Sequence, residues 1–260
     1  ASLTAAGRAK EAIPVLKQAT LMDSHSVEAW GNLGNAFRDV GKLPEASACY
    51  RRVLELDPTD VKALHNLGGT LEREGKLDEA LDAFRRQAAL QPDNATALLD
   101  VGRLLAQTGK LGAAEEVFRR AVAMAPDNAG AHYCLGLALN HLGRTAEAMD
   151  QLHQALVRQP DWGEPWNTEA KWTLAQASSD PSACARAVRL AQKACALTGE
   201  AEPEYLATLM EAHALCGDRD AAGAAAHKAM AAARAGGNEK MALGIEARWM
   251  ELSAALSPGR

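Results

Sequence analysis

A step of 34 residues constrains this chain more than any other feature. Gly34, Gly68, Gly102 and Gly136 keep that step, as do Gly41, Gly75, Gly109 and Gly143, with Gly7 one step earlier. Ala46, Ala80, Ala114 and Ala148 follow it, with Ala12 ahead of them, and Pro58, Pro92, Pro126 and Pro160 close each repeat. A fixed period of this length marks stacked copies of one small unit, none of which buries its apolar face alone. Inside each step the apolar residues return at helical spacing. In "VEAWGNLGNAF" Trp30, Leu33, Gly34 and Phe37 share one helix face, and Asn32 and Asn35 point elsewhere. The segments "VGKLPEA", "EGKLDEA", "TGKLGAA" and "LGRTAEA" each place a glycine where a helix ends in a left-handed conformation. "DPTD", "QPDN", "APDN" and "QPDW" end the second helix and offer side-chain oxygens to cap the next.

The run Trp30, Leu33, Gly34, Phe37, then Ala46, Tyr50, then Pro58 resembles the tetratricopeptide repeat, whose pattern is W-x2-L-G-x2-Y, A-x3-F, P. Later repeats relax it: Leu64, Leu67, Gly68, Leu71, Ala80, Phe84, Pro92; then Leu98, Val101, Gly102, Leu105, Ala114, Phe118, Pro126; then His132, Leu135, Gly136, Leu139, Ala148, Leu152, Pro160. The resemblance implies an all-α fold, a right-handed superhelical solenoid of helix-turn-helix repeats whose first helices line a concave groove. A composition 48% hydrophobic but only 4% aromatic suits helices packed closely through alanine and leucine.

The phase holds from Val27 to Trp162 and then breaks. The step predicts a glycine at 177 and a proline at 194, where the chain has Ala177 and Ala194. Gly217 follows Gly143 by 74 residues, two steps plus six, and the polar "QASSDPSA" at 176–183 is the expected place of the surplus. Ala187, Ala191 and Ala194, then Ala222, Ala226 and Ala229, restore the second-helix spacing. The chain therefore reads as a partial repeat, its second helix, over 1–26; four regular repeats over 27–162; two divergent repeats over 163–237; and a capping helix and tail over 238–260. Asn238 is the expected cap of that last helix, and Ile245, Trp249, Leu252 and Leu256 its apolar stripe. The stretch from Trp166 to Leu256 resembles the divergent end of some bacterial tetratricopeptide proteins, which points to a bacterial source. The chain starts without methionine near the second helix of a repeat, consistent with an excised piece or with an N-terminal edge that stacks on another molecule.

Several function classes fit poorly. A net charge of −5 argues against nucleic acid, which calls for a basic excess. No apolar run reaches the ~18 residues of a membrane span, and no secretory signal opens the chain. Cys49, Cys134, Cys184, Cys195 and Cys216 are odd in number, with no C-x-x-C, and read as reduced thiols in an expected cytoplasmic setting. No H-E-x-x-H and no Cys/His cluster is present, so neither metal, cofactor nor catalysis is expected. His132 takes the Trp30 register and reads as core. Trp162, Trp166 and Trp172 read as packing where the regular repeats end, or as an exposed partner anchor.

The groove remains. Two places after Trp30 and its counterparts stand Asn32, Asn66, Asp100 and Cys134. The first two resemble the asparagine ladder in the repeat region of O-linked N-acetylglucosamine transferase, which implies an extended peptide held by its backbone. An amide donates and accepts at once, as a peptide bond requires. Asp100 and Cys134 break the ladder. The family's carboxylate clamp, made of lysine, asparagine, asparagine, lysine and arginine, falls here on Gly31, Asn35, Asn66, Thr96 and Asp100, so every cation is missing. The other groove candidates are Arg38, Asp39, His65, Glu72, Arg73, Arg103, Gln107, Tyr133, Asn140 and His141. The reading is a non-catalytic module binding a peptide segment of a protein partner. Alternatives are the substrate-recruiting arm of a larger enzyme such as a glycosyltransferase, or a self-assembling scaffold.

Overall fold

A computed structural model describes residues 2–176 and 181–256. Among them are fourteen α-helices and no strand: α1 (Ser2–Met22), α2 (Val27–Asp39), α3 (Leu43–Leu56), α4 (Val61–Arg73), α5 (Leu77–Leu90), α6 (Ala95–Gln107), α7 (Leu111–Met124), α8 (Ala129–His141), α9 (Thr145–Arg158), α10 (Gly163–Gln176), α11 (Pro181–Leu197), α12 (Pro203–Leu215), α13 (Arg219–Ala235) and α14 (Glu239–Ala255). Residues 177–180, where most of the six-residue surplus is expected, lie outside the described residues, as do 257–260 of the expected tail. By compactness the chain divides into two units, Ala1–Thr145 and Ala146–Arg260. That cut differs from the sequence boundary at 162, which marks where the regular spacing stops.

In the first unit each helix packs on the next in chain order from α1 to α8. The turns are built alike. Gly41, Gly75, Gly109 and Gly143 all have φ between 77 and 79°. The amide after each glycine reaches back over the helix end: Lys42 N donates to Phe37 O, Lys76 N to Leu71 O, Lys110 N to Leu105 O and Arg144 N to Leu139 O, all at 2.9 Å. Those bonds satisfy carbonyls that the helix end leaves free, and a Cβ at the glycine would be strained. Entry to the next helix repeats as well. Ser26, Asp60, Asn94 and Asn128 accept from backbone amides in the first turns of α2, α4, α6 and α8. Each such cap contributes about 1 kcal/mol.

Between the two helices of a repeat, glycine and an aromatic ring fit together. A Cβ on Gly34, Gly68 or Gly102 would come within 2.7, 2.7 and 2.4 Å of the rings of Tyr50, Phe84 and Phe118. All three rings are almost wholly buried, worth about 2–3 kcal/mol each. Ala46, Ala80 and Ala114 are fully buried beside them.

In the second unit α10 to α14 again pack in chain order, and α10 also meets α12 and α12 meets α14, as α6 meets α8 in the first unit. Ala187, Ala191, Ala194, Ala222, Ala226 and Ala229 are fully buried, as their spacing predicts. Gly217 has φ 80° and Asp218 N donates to His213 O, the turn of the regular repeats. Asp218 caps α13 and Asn238 caps α14. On α14 Ala242 and Ile245 are buried and Trp249 and Leu252 half-buried, while Leu243 and Met250 face outward with Glu239, Lys240, Arg248 and Glu251. No helix among the described residues is long and apolar enough to cross a membrane.

Candidate functional site: the exposed face of the first helices

Helices α2, α4 and α6 bury one side and leave the opposite side partly open, with side chains there pairing across neighbouring helices; α8 is buried over most of its surface, with Cys134, Leu137 and Asn140 half-buried and His141 exposed. Between α2 and α4 the links form a polar chain. The Tyr50 hydroxyl donates to Asn35 Oδ1 at 2.8 Å. Asn66 Nδ2 donates to the same oxygen at 3.5 Å, and Asn66 Oδ1 accepts from Arg38 Nη1 at 3.1 Å. Arg38 in turn pairs with Asp39 at 3.1 Å. Burial pushes the Tyr50 hydroxyl up to about 12, with Arg38 working the other way, so it stays a donor. Asn66 is thus engaged at both ends of its amide. Asn32 is exposed and has no hydrogen-bond partner among the described residues. Both amides line a cavity of about 250 Å³ whose floor includes Tyr50.

Between α4 and α6 the links are ionic. Arg103 forks onto Glu72, with Nη2 2.9 Å from Oε2, and comes within 4.0 Å of Asp100. His65 Nδ1 lies 3.3 Å from Asp100 Oδ2, a buried oxygen that this contact meets without hydrogen-bond alignment. Burial therefore dominates and holds the Asp100 carboxyl above its usual range, with His65 and Arg103 pulling it down less than burial raises it. The Glu72 hydrogen bond, then its charge, raises Arg103 further against burial.

Between α6 and α8 the face turns apolar. A cavity of about 390 Å³ opens there over the Phe118 ring, walled by Ala106, Cys134, Leu137 and Ala138, with Arg103, Gln107 and His141 at its rim. Gln107 and His141 are exposed and, like exposed Arg73, have no polar partner among the described residues.

The remaining candidates divide. Asn140 is half-buried without a polar partner. Tyr133, expected on the groove, is only 7% exposed and offers no open surface. His132 is core as its register implies, with Nε2 2.9 Å from the Pro126 carbonyl, so that nitrogen carries the proton. Trp30 Nε1 and Trp166 Nε1 make the same bond six residues back, each at 3.0 Å, to Ser24 and Pro160. Trp162 and Trp172 are partly buried, and Trp166 packs beside Ala170, Leu190 and Ala191, which assigns Trp166 to packing. None of the five cysteines forms a disulfide among the described residues. Sequence reasoning missed the Tyr50 hydroxyl and the Phe118 floor, because both were read as packing alone. Cys134 and Leu137, apolar in groove registers, were the available signal for the cavity.

Size alone points elsewhere. A larger cavity, about 600 Å³, opens between α3, α4 and α5, lined among others by Asp78, Glu79 and Asp82. Glu79 is already paired with Arg51 at 2.7 Å and Asp78 lies 4.0 Å from Lys110, whereas Asp82 and Arg86 are exposed without polar partners among the described residues. Among the described residues no group of three or more His, Cys, Asp or Glu gathers to hold a metal.

Comparison with known proteins agrees with this architecture. Three family models described as tetratricopeptide repeat match the chain, one over 27–60, one over 49–82, and one over both 67–129 and 99–165. No curated protein matches. Among solved structures, a crystal structure of MamA is 26% identical, with a TM-score of 0.56, covering 59% of this chain and 90% of that one. MamA from Desulfovibrio magneticus RS-1 is 20% identical, TM-score 0.55, covering 61% and 93%. YrrB, described as a TPR protein with an unusual peptide-binding site, is 19% identical, TM-score 0.54, covering 71% and 93%. The matched models together run from residue 27 to 165, more than half of the 260 residues, and the chain belongs to the tetratricopeptide repeat family.

Proposed function

We propose that this chain is a non-catalytic interaction module that holds an extended segment of a protein partner along the open face of α2, α4, α6 and α8. The observation that carries the reading is a set of unmet polar groups on that face. Asn32, Arg73, Gln107 and His141 are exposed without polar partners among the described residues, while Asp39, Glu72 and Asp100 on that face are already paired. An extended backbone brings a carbonyl and an amide every residue, and such groups are what these side chains meet. YrrB, a relative in fold, is itself described as having a peptide-binding site. Asn66 belongs to the same surface, and its bonds to Arg38 and Asn35 hold its amide in place from within. The test is a pull-down of partners from the native source, followed by affinity measurement. Asn32→Ala with Asn66→Ala, and separately Arg73→Glu, are expected to weaken binding at least fivefold. Unchanged affinity in both variants contradicts the reading.

A second reading has its own observation. Helix α1 exposes Val15, Leu21 and Met22 at 69, 84 and 82%, an apolar edge that favours self-association. Light scattering across a concentration series tests it: mass rising with concentration supports a scaffold, and a constant monomer mass excludes one.

A further inference from the structure

We propose that the cavity between α6 and α8 is an anchor pocket for one aliphatic or aromatic side chain of the bound segment. The same segment carries an acidic residue, four or five positions from the anchor, that meets Arg73. The proposal rests on the peptide reading above and adds the chemistry of the peptide.

The pocket follows from what the period does to three rows of side chains. One row runs Asn32, Asn66, Asp100, Cys134; another Asn35, Gly69, Arg103, Leu137; a third Arg38, Glu72, Ala106, Asn140. At the α2–α4 end these rows supply amides and a guanidinium that fill the surface with hydrogen bonds. At the α6–α8 end they supply Ala106, Cys134 and Leu137, which wall a cavity. The floor changes with them. Tyr50 spends its hydroxyl on Asn35, whereas Phe118 in the same register has no hydroxyl, so its almost wholly buried ring adds no polar group to the cavity lining. A volume near 390 Å³ is within the range of ligand pockets, about 300 Å³ upward, and the walls are mostly apolar, as in such pockets.

Charge fixes the second half of the motif. No carboxylate lines the pocket, and its rim offers Arg103, Gln107 and His141. Arg103 is held by Glu72 and cannot turn inward without breaking that fork. Among the described residues Arg73, in the row Asp39, Arg73, Gln107, His141 and one period before Gln107, is an exposed cation without a polar partner, and Lys62 at the α2–α4 cavity is another. Neighbouring first helices stand on the order of 10 Å apart. An extended segment advances about 3.3 Å per residue, so the span from the α6–α8 gap to α4 takes four or five residues. A bulky apolar residue and an acid at that separation complement the face. A basic residue at the acid's position meets Arg73 with like charge.

The test uses the full chain and random 12-residue peptides displayed on phage, with selected sequences then synthesised and their affinities measured by fluorescence polarisation. Enriched peptides are expected to share an apolar residue with Asp or Glu four or five positions away. Ala106→Trp, which fills the pocket, is expected to weaken them at least tenfold. Serine in place of the peptide anchor should do the same with the unmodified protein, so the outcome does not depend on a variant folding. Arg73→Glu should weaken them several-fold, and lysine in place of the peptide acid should restore that variant. Peptides that respond to Asn32→Ala with Asn66→Ala but ignore both Ala106→Trp and loss of the anchor overturn the pocket and leave the groove reading standing. Peptides indifferent to all of these variants, or no enrichment at all, overturn both.

Discussion

In the first unit, each pair of helices closes around a glycine on the first helix and a ring on the second; in the second unit the same space is filled differently. The counterpart of Gly34 in α10 is Ala170, and the counterpart of Tyr50 in α11 is Ala191, both fully buried in one cluster. In α12 and α13, with Gly217 aligned on Gly41, the large residue has moved to the first helix as Met210 and the small one to the second as Ala226. In α12 and α13 the helix that supplies the volume has changed, whereas in α10 and α11 both positions are small and Trp166 and Leu190 pack beside them. The open side changes too. Asn66 and Asp100 stand on a surface, but Thr168 in their register is buried, with Asn167 and Glu169 beside it, where α10 and α12 meet directly. Glu169 occupies a register that Leu33, Leu67 and Leu135 fill in the regular repeats, and lies 3.3 Å from His153. α6 and α8 also meet directly, yet the gap between them still holds a cavity, which is why the proposed groove is placed on the first unit.

That contrast can be broken by substitution. Met210→Ala removes the large residue from its helix pair and is expected to cost about 3 kcal/mol in urea unfolding followed by circular dichroism. Gly102→Ala forces a Cβ into the Phe118 ring and should cost about 2 kcal/mol, because the ring has to yield. If alanine at Gly102 is neutral, the ring and the glycine are not jointly required and the contrast between units falls. Asn128→Ala leaves the first turn of α8 uncapped and should cost about 1 kcal/mol.

The smallest expected effect is the most informative about the groove. Burial raises the Asp100 carboxyl, so the folded chain holds its proton more tightly than the unfolded one. The ionised form therefore costs stability near neutrality, and that cost fades as pH falls through the raised value. Asp100→Asn is expected to raise Tm slightly at pH 7, with the margin narrowing as pH falls. It also adds a third amide to Asn32 and Asn66. A margin that widens as pH falls contradicts the burial account.

The turns were legible in the sequence because local rules write them. A positive φ wants glycine and a first turn wants a side-chain oxygen, and both recur every 34 residues whatever surrounds them. The alanines of α11 and α13 were legible for a similar reason, since helix spacing survives the loss of the motif. Pairs across helices were not legible. That Arg103 is spent on Glu72, or that Tyr50 holds Asn35, depends on how far one helix stands from the next. Tyr133 shows the same limit, since its register reads as open surface and its side chain is buried. The exchange of large and small between α12 and α13 removed both motif residues at once, leaving Gly217 as the mark of register.

The central claim is that the open face of α2, α4, α6 and α8 holds a protein segment and that α10 and α12 do not. Hydrogen–deuterium exchange of the full chain, with and without a selected 12-residue peptide, tests it most directly. The account predicts slowed exchange in α2, α4, α6 and α8 with α10 to α14 unchanged. Protection confined to α10 to α14, or running along α3, α5 and α7, would contradict it.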